Sequence, residues 1–392
     1  MSPPARNSKF RILPSIVLLF VAVAGALGVS EVVLRWVDPP WNGESYFIWP
    51  PGLYRTLRPE PAVMPGVTGD ARFMVNSQGF RADEPTAGAQ RRILVIGGST
   101  TECLYLDQTE AWPRLLQDRI PGPVWVGNAG MAGMTTRHHL VALRHLPLRE
   151  LGINTVVVLT GVNDLTRRLS QDIDWRTVDL NNPAVDLQLT AENFVGSNIF
   201  PPDAPFYERT ALWTALRKVK RLIGRVNVQD EAGEAYREWQ RHRQRAGRLL
   251  DSLPDLSVAL DEYEGSLMAM TEVARRKAVR LILVTQPTMW RTDLPPELQA
   301  RLWLGGVGDF MNVQGQPYYS VRALTEALTL YNDRMRKVCA ATRTECIDLA
   351  AQLPQDTRAF YDDVHFNENG ARLVADIVAT RLLVENQGYS QL

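Results

Sequence analysis

The apolar positions of this chain fall into two patterns. Near the N-terminus one long stretch, Ile12 to Ser30, carries no charge, whereas later the apolar residues come in short runs separated by segments of helical spacing. The short runs are Ile93 to Ile96, Val124 to Val126, Thr155 to Thr160, Arg280 to Pro287 and Glu345 to Leu349. Runs this short and continuous read as strands buried on both faces. Between and after them, Glu110 to Ile120, Thr135 to Leu151, Leu256 to Arg276, Val321 to Cys339 and Glu368 to Val384 repeat their apolar residues as helices do. Strands alternating with helices predict an α/β fold: a parallel five-stranded sheet with helices on both faces, a three-layer α/β/α sandwich. In such sheets ligands bind outside the C-terminal ends of the strands.

The long N-terminal stretch approaches the ~20 apolar residues of a membrane-spanning helix. Arg6, Lys9 and Arg11 precede it, a positive flank that keeps the N-terminus in the cytoplasm and sends the rest of the chain out. A signal peptide cleaved after Ala24-Gly25-Ala26 is the alternative. Apolar residues continue beyond that point to Val37, with Trp36 placed as an interfacial anchor, which favours a retained signal anchor. The expected organisation is a cytoplasmic tail (1–11), a transmembrane anchor (12–37), an extended Pro/Gly-rich connector (38–90) and an α/β domain (91–392) carrying a helical insertion (165–255). Within the connector, Phe73 to Arg81 reads as a short strand and turn ending in a solvated arginine, with a carboxylate near the site as that arginine's alternative partner.

Lys+Arg and Asp+Glu balance at 43 each, so net charge argues against nucleic acid as a partner. Cys103, Cys339 and Cys346 lack the CxxC spacing of a zinc or redox site, and neither a metal nor a cofactor is expected. Cys339 and Cys346 are either a disulfide of an oxidising compartment or two buried thiols. The insertion holds a long stretch dense in Arg and Glu, Tyr207 to Leu253, whose charges read as a solvated helix face or, more sharply, a lid over the site. Trp175, Trp213, Trp239, Trp290 and Trp303 are core residues or a cleft mouth suited to sugar rings.

Each strand end carries polar chemistry. Gly97-Gly98-Ser99-Thr100 sets a hydroxyl behind the first strand, where it is either a nucleophile or a helix cap. Of the five histidines, His138, His139 and His145 share a helix and His242 lies in a basic stretch, so all four read as solvated. His365 stands apart, just before the last helix and three residues after Asp362. On a tight turn that spacing lets the carboxylate accept from imidazole Nδ1–H and leaves Nε2 free to take a proton from a serine. The GK[ST] ending of a phosphate loop, GxGxxG and the GxSxG elbow are all missing.

With these residues in order, the chain resembles the SGNH (GDSL-like) hydrolase family, and in particular its membrane-anchored bacterial members. Four blocks carry the likeness: GGST with Ser99, NAGMAG with Gly133, GVND with Asn163, and DDVH with Asp362 and His365. The first reads GGST rather than GDSL, which leaves the serine in place. The resemblance implies a flavodoxin-like sheet and a Ser99, His365, Asp362 triad. It also implies an oxyanion hole from the backbone N–H of Ser99, the backbone N–H of Gly133 and the Asn163 amide, with Asp164 structural. The expected activity is a membrane-anchored, extracytoplasmic serine esterase that removes acetyl or a similar short acyl group from a glycan or another envelope ester. Two alternatives stand beside it: an O-acyltransferase component that acylates an exported polysaccharide, supplied by an integral membrane acyltransferase, and a catalytically silent binding module.

Overall fold

The computed structural model describes residues 9–37, 46–86, 88–171, 179, 182–195, 205–213, 215–216 and 229–384. They belong to two compact units, one of Met1–Ser45 with Ser197–Val226 and one of Tyr46–Gly196 with Asn227–Leu392. The smaller unit contains a helix, Lys9–Val37, of which Ile16–Val37 is long and apolar enough to cross a bilayer.

In the larger unit the strands are β1 (Tyr54–Pro59), β2 (Ala71–Met74), β3 (Arg91–Gly97), β4 (Val124–Gly130), β5 (Thr155–Leu159), β6 (Gln229–Ala232), β7 (Arg248–Leu250), β8 (Arg280–Val284), β9 (Pro317–Tyr319) and β10 (Glu345–Ile347). The main sheet runs β10-β8-β5-β3-β4 and is parallel throughout. Val95 of β3 lies between Asn128 of β4 and Val157 of β5, and all three are buried, as an apolar run covered on both faces requires. Strand order reverses at β3, with β4 on one side and β5 on the other. This is the switch point at which open α/β sheets form their binding crevice.

Helices cover both faces. Trp112–Arg119 packs against Glu368–Val384 on one, while Thr136–His145, Ser257–Arg276 and Val321–Thr342 pack side by side on the other. Ser320 caps the Val321–Thr342 helix by accepting from Ala323 N at 3.3 Å, and a disulfide between Cys339 and Cys346 ties its end to β10.

Two stretches differ from expectation. Residues 46–86, expected as an extended connector, are built into the larger unit from Tyr46 onward. β1 pairs antiparallel with β2 and parallel with β6, and Leu57, Ala71, Phe73 and Val75 form a small core of their own. The stretch expected as one long helix over Tyr207 to Leu253 contains a 3-10 turn (Phe206–Arg209), β6, a helix (Glu234–Gln244) and β7. Pairing of β6 with β1 and of β7 with β9 takes its backbone into sheets, which outweighs the helical propensity of its Arg and Glu. Trp175 and residues 217–228 lie outside the described residues.

Candidate active site

β3 ends at Gly97, and the chain turns at Gly98 into a one-turn helix, Ser99–Glu102, which begins with the serine. A Cβ at Gly98 would collide with the Asn163 amide, so glycine there lets that side chain approach the turn. Ser99 Oγ lies 2.8 Å from His365 Nε2. His365 Nδ1 lies 2.7 Å from Asp362 Oδ2, and Oδ1 of the same carboxylate accepts the backbone N–H groups of Val364 (2.9 Å) and His365 (2.8 Å). The spacing of three residues works because the chain doubles back: Tyr361 N donates to His365 O at 3.0 Å and Phe360 bridges to Phe366.

Two further groups flank the imidazole, Trp303 and Tyr361; the sequence offered Trp303 as a core or cleft-mouth residue but not as a partner of Asp362. Trp303 Nε1 donates to Asp362 Oδ2 at 2.9 Å, sharing the oxygen that faces His365. The imidazole is nearly parallel to the rings of Tyr361 and Trp303, at centroid distances of 5.5 and 6.4 Å. Asp363 is wholly buried and holds the Trp303 loop, accepting from Trp303 N at 2.6 Å and from Trp290 Nε1 at 2.7 Å. Burial and the neighbouring Asp362 push its carboxyl up to about 6. Burial alone would raise Asp362 and lower His365. The attraction and hydrogen bonds between the two prevail, holding Asp362 below the usual carboxylate range and His365 above the usual imidazole value.

On the opposite wall, β4 runs into the Met131–Met134 turn, where Gly133 adopts φ +77°. Asn163, in the first turn of the Val162–Ser170 helix, donates from Nδ2 to Met134 O at 2.9 Å, which leaves its second amide hydrogen for the cleft. Asp164 faces away. It accepts from Thr136 N (3.1 Å) and Thr136 Oγ1 (2.6 Å), pinning the start of the Thr136–His145 helix, and burial pushes its carboxyl up to about 6.

Ser99, Gly133, Asn163 and His365 line one cleft of about 590 Å³, so the expected site residues meet there, with Asp362 behind the imidazole. Tyr105, Tyr236, Trp239, Trp303, Phe310 and Met311 form its apolar wall, Tyr236 and Trp239 coming from the insertion helix Glu234–Gln244. Glu102, three residues after the serine, also faces the cleft. Its carboxyl is buried, Oε2 has no hydrogen-bond partner, and burial pushes it up to about 7.

Several side chains expected in solvent are buried. Arg81 donates to the carbonyls of Cys103 (2.6 Å) and Leu106 (2.6 Å) and to Gln108 Oε1 (3.1 Å), so backbone carbonyls and the Gln108 side chain satisfy its buried guanidinium. His138 bonds to Thr135 and Glu192, His139 is enclosed, and His242 Nδ1 lies 3.0 Å from Phe310 O. Trp290 is buried against Asp363 rather than at the cleft mouth.

The model of the GDSL-like lipase/acylhydrolase family matches residues 95–373. No curated protein sequence matches the chain. Among solved structures, a lipase/acylhydrolase from Enterococcus faecalis is 16% identical, with a TM-score of 0.37 over 74% of this chain and 95% of that one. An acetylxylan esterase from Geobacillus stearothermophilus is 14% identical, with a TM-score of 0.39 over 77% and 97%. A GDSL-like lipase from Bacteroides thetaiotaomicron is 12% identical, with a TM-score of 0.35 over 76% and 91%.

Proposed function

Because the chain belongs to the GDSL-like lipase/acylhydrolase family and is a serine ester hydrolase, we propose that Ser99 is its nucleophile, His365 the general base and Asp362 the carboxylate that orients it. The observation that carries this reading is the 2.8 Å contact between His365 Nε2 and Ser99 Oγ, with Asp362 2.7 Å from the other ring nitrogen. A serine hydroxyl is a poor nucleophile at its own pKa and needs a base within that reach. Ser99 Oγ attacks the ester carbonyl as its proton passes to Nε2. The oxyanion is received by the N–H groups of Ser99 and Gly133 and the Asn163 amide. The imidazolium then protonates the departing alcohol, leaving an acyl-serine. Water, deprotonated by the same Nε2, hydrolyses that intermediate and restores Ser99.

The substrate in this proposal is an O-acyl ester, acetyl or similarly short, on a glycan or other envelope component. Tyr105 and Trp239 line the cleft together with the polar Thr166, Arg167 and Ser170, a mix of aromatic and polar groups that supports a sugar ring as the alcohol part. The Lys9–Val37 helix would anchor the enzyme, with the catalytic unit outside the cytoplasm. The preceding basic residues and the Cys339–Cys346 disulfide support that orientation.

The test is release of p-nitrophenol from p-nitrophenyl acetate by the full chain in detergent, for wild type and Ser99→Ala, with and without short glycan acceptors. Turnover in buffer that disappears in Ser99→Ala is the expected result. Undiminished turnover in Ser99→Ala would remove the serine from the mechanism, and acylated glycan formed in place of free acid would make the protein a transferase.

A further inference from the structure

The smaller unit brings part of the insertion back to the apolar helix. Glu31, six residues before the end of Lys9–Val37, accepts the backbone N–H groups of Ala211 and Leu212 at 2.9 Å each and pairs with Arg35 at 2.7 Å. Thr210 Oγ1 accepts from Trp213 N at 3.2 Å, so these residues open a short helical segment whose first N–H groups point at the anchor. Directly before it, the Phe206–Arg209 turn presents Phe206, 83% exposed, and Tyr207, whose ring packs edge-on against both Phe206 and Trp213. Phe206 and Tyr207 are exposed, whereas Trp213 is half-buried.

We infer that Phe206, Tyr207 and Trp213 form a second membrane contact, seated in the headgroup region of a phospholipid bilayer beside the outer end of the Lys9–Val37 helix. The inference rests on the reading of that helix as a membrane span. The charge-free run Ile12 to Ser30 is 19 residues long, roughly 28 Å at 1.5 Å per residue, so Glu31 follows close to where a ~30 Å hydrocarbon core would end. Whatever Glu31 holds is therefore at the lipid–water boundary. Phe, Tyr and Trp are the side chains suited to that layer, and Trp36, 84% exposed, stands one residue beyond Arg35 on the anchor itself. The insertion thus leaves the larger unit after Gly196 and touches the bilayer before rejoining that unit at Asn227.

The experiment is depth-dependent quenching in phosphatidylcholine nanodiscs that carry doxyl-labelled lipid. Full-length Leu18→Cys, Phe206→Cys and Glu297→Cys variants each take an environment-sensitive NBD label. Cys103 is buried and the other two cysteines are paired, so the introduced thiol reacts selectively. Strong quenching at position 18, quenching by shallow-doxyl lipid with a blue shift at 206, and neither at 297 is the expected pattern. Quenching at 18 with position 206 as silent as 297 overturns the aromatic contact and leaves the span standing. Silence at 18 overturns the span, and the contact with it. Glu31→Gln should reduce quenching at 206 without changing position 18, and full quenching at 206 in that background would refute Glu31 as the tether.

Discussion

Trp303→Phe is the perturbation that tests how the site sets its own basicity. The substitution keeps an aromatic ring beside His365 and the backbone N–H on Asp363, and it deletes the indole donor 2.9 Å from Asp362 Oδ2. Asp362 keeps three of its four donors, two of them backbone groups on the other oxygen. A hydrogen bond to a charged acceptor is worth about 1.5–3 kcal/mol. If a third to a half of that is transferred to the His365 bond, the imidazolium gains roughly 0.5–1.5 kcal/mol. The imidazole already holds its proton more tightly than usual, because Asp362 outweighs burial, and the variant extends that. A general base must be unprotonated, so activity lies above the His365 pKa and is lost as pH falls through it. At a pH on the acid slope, kcat/KM of Trp303→Phe should therefore fall roughly two- to twelvefold below wild type, with the alkaline plateau within about twofold. The assay is kcat/KM for p-nitrophenyl acetate against pH, with Trp239→Phe as the control that removes a neighbouring indole lacking this bond. An unmoved acid limb in Trp303→Phe, or an equal movement in Trp239→Phe, would refute the reasoning.

Ser99→Ala should abolish turnover and labelling by a fluorophosphonate while leaving the melting temperature near wild type; labelling elsewhere in that variant would point to another nucleophile. Asn163→Ala should lower kcat by about 10²–10³ with a smaller change in KM, because its bond to the oxyanion forms in the transition state; a pure KM effect would take it out of the oxyanion hole. Burial pushes the Glu102 carboxyl from 4.5 up to about 7, so the unfolded chain releases this proton first and the group's contribution to stability falls as pH rises between those values. Glu102→Gln should accordingly gain stability relative to wild type between pH 5 and pH 8, by at most about 3 kcal/mol, and denaturant midpoints that move in parallel with pH would exclude a buried titrating Glu102.

What the sequence displayed is what local pattern alone can carry. β3, β5 and β8 are covered on both faces, so each is a continuous apolar run bounded by polar chemistry. Ser99, Asn163 and His365 follow such runs or precede a helix, where the fold type places its crevice whatever the tertiary detail. β1 is different: Tyr-Arg-Thr-Leu-Arg-Pro shows no regular alternation, and one of its two partners, β6, lies some 170 residues away. A register set by so distant a segment leaves no periodic trace in either strand. Arg81 fails to announce its burial for a related reason, because its acceptors are mainly backbone carbonyls, which every residue possesses.

Trp303 and Glu102 mark the deeper limit, since each enters the site through contacts made only in three dimensions. Trp303 meets Asp362 from 59 positions away and reaches it because Asp363, Trp290 and the Trp303 backbone form one buried cluster. That cluster is also why the triad geometry and the cleft wall are coupled. The carboxylate next to Asp362 in the chain holds the loop whose indole bonds to Asp362 and whose ring lies beside His365. A change at Asp363 must therefore reach both the basicity of the imidazole and the shape of the cleft. Asp363→Asn should shift the acid limb and the substrate preference together, and if only one of the two moves, the loop and the triad are independent.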